Sequence, residues 1–231
     1  MIWEYNSDNN SLMPALINTI TMTVLSLVIA APLGIFSAIY LVEYAKRGNK
    51  LVGIVRVTAE TLSGIPSIVY GLFGMLFFVT ALKWQLSLLS GAFTLAIMIL
   101  PLIMRTTEEA LKSVPDSYRE GSFGLGAGRL RTVFRIVLPA AVPGILAGVI
   151  LAIGRIVGET AALIYTAGTV AKIPDLMSSG RTLAVHMFVL SNEGLHTDKA
   201  YATAVVLLVI VILINALSAF VAKKISKGTR V

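Results

Sequence analysis

Residues Ser117 to Pro139 read SYREGSFGLGAGRLRTVFRIVLP, and they interrupt a chain that is otherwise nearly continuous apolar sequence. Ser117 stands three residues before Glu120, the spacing of a capping box, in which the hydroxyl takes a free amide at a helix start and the carboxylate reaches back. The spacing predicts a short helix from Tyr118. Gly124, Gly126 and Gly128 each disfavour its continuation past Leu125 by ~1 kcal/mol, so about two turns are expected. Arg129, Arg131 and Arg135 then fall at a membrane surface, and Pro139 stands where a new helix tolerates its missing N–H. Two readings stay open on these residues alone: an ordinary basic loop with a capped surface helix, or a rigid knob offered to a partner.

The surrounding chain decides the solvent. Its 231 residues are 56% hydrophobic and 13% charged, with a mean hydropathy of +0.85, whereas soluble domains run at roughly a quarter charged. Apolar stretches of roughly 20 residues match a bilayer core about 30 Å thick. Five are present: Pro14–Val42, Thr61–Leu82, Leu86–Met104, Ile136–Gly168 and Tyr201–Ala222. The first and fourth exceed one perpendicular span and contain Pro or Gly pairs, so tilt, a kink or an interfacial lead-in is expected. The fold class is all-α: a polytopic membrane protein of about five transmembrane helices with a short cytoplasmic helix.

Sidedness follows from the basic residues. Lys46, Arg47, Lys50 and Arg56 follow the first span; Arg105, Lys112, Arg119, Arg129, Arg131 and Arg135 follow the third; Lys223, Lys224, Lys227 and Arg230 follow the fifth. Only Lys83, Lys172, Arg181 and Lys199 fall on the other side, a ratio of fourteen to four. This is the positive-inside bias, so the N-terminus is expected outside and the C-terminus in the cytoplasm. The net charge of +7 is thereby read as topology, without a nucleic-acid partner. The expected organisation is an external segment 1–13, a membrane domain 14–222 with its cytoplasmic loop at 105–139, and a basic tail 223–231. Met1–Asn10 lacks the basic n-region of a signal peptide, and an N-out start suggests a further helix preceding this one. Absence of cysteine excludes disulfides and thiolate chemistry.

From Glu120 the residues run Glu-Gly-Ser, three positions, Gly126, nine positions, Ile136, one position, Leu138, Pro139. This resembles the signature of the membrane subunits of ATP-binding-cassette importers, written EAA, x3, G, x9, I, x, L, P. Gly121 and Ser122 replace the two alanines, and both are still small. The resemblance implies the MetI-like permease fold, with Ser117, Glu120, Gly121, Ser122, Gly126, Ile136, Leu138 and Pro139 forming a coupling element that docks on a cytoplasmic ATPase. That ATPase is expected on another chain, which binds ATP and magnesium. No G-x-x-x-x-G-K-[ST] occurs here, and GLGAG lacks the lysine of a phosphate cradle. No catalytic residue and no cofactor are therefore expected on this chain.

Arg155 and Glu159 lie one helical turn apart in GRIVGETAALIY, within the fourth span. A charge in hydrocarbon costs ~2.5–3.5 kcal/mol on insertion scales, so both are expected to face protein or water and to pair with something. They form either a structural ion pair or part of a path for an anion, where the arginine fork suits an oxyanion. The runs Glu60–Gly74, Gly154–Thr160 and Thr182–Gly194 resemble the permeases of the phosphate importer, the last run more its PstA type than its PstC type. The resemblance implies a substrate path at Arg155, Glu159 and Thr160. It also implies four kinds of partner: a PstC-like permease, two PstB-like ATPases, a PstS-like external phosphate-binding protein and the lipid bilayer.

Glu60, Gly64 and Pro66 are read as a gate or packing contact at the start of the second span. Gly71 and Gly74 are expected to permit close helix approach. His186 and His196 lack the carboxylate spacing of a metal site and read as loop histidines. Two alternatives to a phosphate permease remain at this level: an importer of another oxyanion or small solute, and a secondary transporter or channel. The latter fits poorly with the absence of further buried acids for a proton relay.

Overall fold

The structure is a computed structural model describing residues 11–46 and 48–228; the N-terminal residues through Asn10, together with Arg47 and Arg230, lie outside the described residues. Among the described residues the regular secondary structure is all helical, without strands. The α-helices are α1 (Met13–Ile39), α2 (Lys50–Ser63), α3 (Ser67–Gly74), α4 (Leu88–Lys112) and α5 (Asp116–Gly124). There follow α6 (Arg129–Thr132), α7 (Leu138–Val157), α8 (Ala161–Thr166), α9 (Leu183–Glu193) and α10 (Thr197–Gly228). Wider π-helical turns extend α1 through Tyr40–Tyr44, extend α3 through Met75–Ala81, and join α6 to α7 at Val133–Val137.

Helix α4 is the axis of the bundle. It packs on α1, α7, α2, α3 and α8, and Leu95, Met98, Ile99 and Ile103 are fully enclosed. Its outer half carries Ser90, Gly91, Ala92 and Thr94, small residues that let neighbouring backbones come close, as membrane bundles require. Ser26 on α1 donates to the Ala92 carbonyl at 3.2 Å across that contact. The outward faces are apolar instead: Ile20, Val28 and Phe36 on α1 and Leu208, Leu213 and Leu217 on α10 are all exposed. A surface that is more apolar than its polar-studded crossings fits lipid, not water.

Among the described residues four helices are long and apolar enough to cross a membrane, Met13–Tyr44, Leu88–Lys112, Arg129–Val157 and Thr197–Leu217. The pair Lys50–Ser63 and Ser67–Ala81 meets the same criteria only when taken together and is bent by 103°, which gives up to five crossings when it counts as one broken span. The expected span Thr61–Leu82 therefore begins inside one helix and continues in another. Gly64 ends α2, and Pro66, which cannot donate to a continuing helix, starts α3. Tyr70 holds the corner by donating its hydroxyl to the Leu62 carbonyl at 2.7 Å.

The fourth span also differs from expectation. The membrane helix does not start at Pro139 but runs from Arg129. The Leu138 amide bonds back to the Val133 carbonyl, a turn one residue wider than α, and this rephasing accommodates a proline that has no N–H to give. The same helix stops at Val157, so Gly158–Thr160 is a break and α8 is a separate short helix. The loop between α4 and α6 is correspondingly shorter than 105–139, and α10 continues as helix to Gly228 within the expected tail.

Candidate functional site

A cavity of about 590 Å³ opens between α2, α4 and α7. Its charged lining comprises Arg56, Arg105, Lys112 and Arg155 with Glu60, Glu108 and Glu109, four cations against three acids. Most of that charge is committed. Glu108, buried on α4, binds Arg56 at 2.7 Å and Lys112 at 2.6 Å, and Arg105 pairs with Glu109 at 3.2 Å. Arg155, half-buried in the last turn of α7, takes part in no ion pair or hydrogen bond among the described residues. Arg155 and Glu60 are thus the two charges of this lining outside the ion pairs, and the space they face is large enough for a small oxyanion.

Glu159 is not its partner. The expectation of a shared helical face fails because α7 ends at Val157 and Gly158 caps it. Glu159 is buried in the break and accepts the Ala162 amide at 3.0 Å, so its carboxylate satisfies a free donor at the start of α8. Thr160 occupies the N-cap position of α8 without a side-chain cap bond. Neither Glu159 nor Thr160 lines the cavity, whereas Glu60 does, with Ser63 beside it. Gly64 and Pro66 form the corner immediately after that wall. Of the predicted path and gate residues, the fold brings Arg155 and Glu60 together and sets Glu159 and Thr160 apart.

The coupling element is a compact knob. α5 starts at Asp116 after Pro115 with no side-chain cap bond, so the capping box of Ser117 and Glu120 does not form; both side chains are exposed. Proline supplies the start instead, with Tyr118 bonding back to its carbonyl at 3.1 Å. The stop is as predicted in kind. Gly126 adopts φ +81°, its amide bonds to the Phe123 carbonyl at 2.9 Å, and the Ala127 amide bonds to the Ser122 carbonyl at 3.1 Å. This paired pattern is a Schellman ending, which needs a residue free to take positive φ.

The two positions that replace alanine have different surroundings. Gly121 faces open space, whereas Ser122 is buried against its own chain, its hydroxyl 2.8 Å from that of Thr132 on α6. Packing of Ser122 into a partner groove is therefore not what the fold provides. Ile136 and Leu138 are half-buried around the wide turn and Pro139 is exposed. Tyr118, Phe123, Leu125 and Leu130 make the outward apolar surface of the knob.

Sequence reading did not find the residue that anchors this knob. Arg119, 15% exposed in its side chain, holds Glu43 at 2.7 Å from the end of α1, and donates to the carbonyls of Leu111 at 2.9 Å and Val114 at 2.8 Å. No local signal could have paired them, since 76 residues separate Arg119 from Glu43. The Glu108 cluster was invisible for a similar reason: Arg56 comes from another helix.

At the opposite end of α1, Asn18 donates to the carbonyls of Lys172 at 2.8 Å and Arg181 at 3.1 Å, fixing the long loop before α9. His186 on α9 is buried beside Arg181, and burial first, then the arginine charge, lower its pKa to about 4.

Residues 30–231 match the family described as binding-protein-dependent transport system inner membrane component. The chain belongs to that family. It is the membrane-spanning permease subunit of an ABC importer, a class in which separate ATPase and substrate-binding proteins are the partners. The chain is 35% identical over 217 residues to the probable ABC transporter permease protein YqgI of Bacillus subtilis (strain 168), covering 87% of this chain and 74% of that one. Against the phosphate transport system permease protein PstA 1 of Mycobacterium tuberculosis (strain H37Rv) the identity is 34% over 211 residues, with 90% and 68% covered. The fold of this permease agrees with that of a chain in the inward-facing MetNI methionine ABC transporter, with TM-score 0.71 at 20% identity and coverage of 93% and 94%. A chain of a bacterial alginate ABC transporter gives TM-score 0.66 at 20% identity, with 91% and 79% covered.

Proposed function

We propose that this permease carries inorganic phosphate, and that Arg155 is a contact on its path. The uncommitted guanidinium of Arg155 in the cavity carries the reading. An arginine fork can offer two parallel donors to a tetrahedral oxyanion, which a lone ammonium cannot. Relatives whose names state phosphate transport support the cargo. In this reading the working unit pairs the chain with a related PstC-like permease, two PstB-like ATPases that bind ATP and magnesium, and a PstS-like external protein that delivers phosphate. The N-terminal end lies outside and the C-terminal end in the cytoplasm, as the basic residues favour. Glu159 and Thr160 shape the break behind Arg155 and do not touch the anion.

The test is uptake of radiolabelled phosphate into vesicles holding the reconstituted complex, with sulfate and arsenate as competitors. Phosphate uptake blocked by arsenate and spared by sulfate is expected; sulfate uptake without phosphate uptake overturns the cargo. Orientation is tested with single cysteines at Ser113 and Asn192, both exposed in a chain without native cysteine. The first is expected to react with an impermeant thiol reagent only from the cytoplasm, the second only from outside.

A further inference from the structure

The Arg119 side chain joins four segments at once. Its Nη2 and Nε bond the Glu43 carboxylate at 2.7 and 3.2 Å, reaching the wide turn that ends α1. Nη2 also donates to the Leu111 carbonyl at 2.9 Å in the last turn of α4, a carbonyl that the Val114 amide approaches at 3.4 Å. Nη1 donates to the Val114 carbonyl at 2.8 Å in the link to α5, and to Asp116 at 3.2 Å in the first turn of α5. The Glu43 side chain is 9% exposed and that of Arg119 15%, so this junction is shielded from water. Asp116 is exposed and contributes little.

A planar fork used on both edges constrains direction as well as distance. The segment from α4 to α5 is only Ser113–Pro115, and the remaining side-chain tie of α5 is the hydroxyl pair of Ser122 with Thr132 on α6. A knob held only by α6 and the wide turn after it would move with the helix that runs from Arg129 to Val157, and could swing on that short link without carrying the ends of α1 and α4. With Arg119 in place, displacement of α5 must carry the ends of α1 and α4 with it. Those two helices pack on each other more extensively than any other pair, and α4 forms one wall of the charged cavity.

We propose that Arg119 and Glu43 form the strut through which motion of α5 reaches α1 and the α4 wall of the cavity, making Arg119 a positioning residue for coupling. The proposal rests on the reading of α5 as the ATPase-docking helix. It does not depend on phosphate being the cargo.

The experiment uses the assembled complex of both permeases with the ATPase. A Ser63→Cys substitution on the cavity wall reports its state through the thiol-labelling rate, compared without nucleotide and after trapping with ATP and vanadate. Arg119→Lys and Glu43→Gln are each expected to shrink the nucleotide-driven change in labelling, and to lower phosphate moved per ATP by about tenfold, the order of ordinary coupling between two sites. Subunits should still co-purify and basal ATP hydrolysis should persist. Lysine keeps the charge but loses the fork, so retained labelling response in Arg119→Lys overturns the strut. Failure of both variants to assemble also overturns it, since Arg119 would then serve folding alone. A parent complex whose labelling ignores nucleotide sinks the docking reading and the proposal with it. A parent that responds to nucleotide yet moves no phosphate sinks only the cargo, and the labelling arm then decides the strut.

Discussion

The Glu159 carboxylate accepts the Ala162 amide at 3.0 Å, so the acid four positions after Arg155 caps a helix and leaves the arginine unpaired. Structural pairing and anion binding therefore predict different genetics. Arg155→Gln is expected to abolish phosphate uptake with assembly and basal ATP hydrolysis intact. Adding Glu159→Gln should not restore it, because there is no buried acid left unpaired by the first change. Glu159→Gln alone should keep much of the uptake, since the amide oxygen can still accept the Ala162 N–H. Glu159→Ala removes the cap, at a cost of ~1 kcal/mol, and should lower the thermal stability of the purified complex. Uptake recovered in the double variant would return the two residues to a single ion pair.

Gly126 should matter for the shape of the knob before it matters for any partner. An alanine there meets no neighbouring atom, yet it must hold φ near +81°, which disfavours an L-residue by ~1–2 kcal/mol. Gly126→Ala is expected to weaken co-purification of the ATPase, whereas Gly121→Ala, equally unobstructed and within a helix, should leave it unchanged. Equal ATPase retention in the two variants would show that the turn does not set the docking geometry.

Much of this architecture is local and so was legible. Span count follows from runs of apolar residues, and the stop at Gly126 from glycine chemistry at one position. The start of α5 differs from expectation because two mechanisms compete within three residues: Ser117 and Glu120 have capping-box spacing, but Pro115 opens the helix two residues earlier. Helical spacing places Arg155 and Glu159 on one face, and that reading fails because Gly158 ends the helix between them. A hydropathy scan averages over that break, since Ile156 and Val157 before it and Ala161 to Ile164 after it are apolar. Arg119 with Glu43 and Arg56 with Glu108 join distant segments, and neither contact leaves a periodic trace in the sequence.

His186 should make the outer end of the molecule sensitive to acid. Its folded pKa is about 4, below the ordinary 6.5, because burial and then the Arg181 charge oppose the imidazolium. The unfolded chain therefore binds a proton that the folded chain refuses between those values, so stability falls as pH drops through that window, by up to ~3 kcal/mol. Thermal unfolding of the detergent-solubilised complex between pH 7 and pH 5 is the measurement. His186→Gln is expected to flatten the decline; an unchanged slope would assign the acid sensitivity to other groups.

The approach of α3 to α8 bears on the same turn that Glu159 caps. A Cβ on Gly71 would stand 2.8 Å from the Ala162 Cα and 3.2 Å from the carbonyl oxygens of Ala161 and Ala162, so backbone and not a flexible side chain would have to yield. Gly74 is equally confined, against Thr94 and Thr166. Gly71→Ala should therefore destabilise by ~1–3 kcal/mol, as overpacking does, and do so by displacing the start of α8. Once displaced, the Ala162 amide no longer meets Glu159, so the loss on adding Glu159→Ala should be smaller than in the parent. Thermal stabilities of the two single variants and the double test this directly. Non-additivity of that sign ties the glycine contact and the carboxylate cap into one unit behind Arg155, whereas additive losses would mean that the two ends of the break are independent.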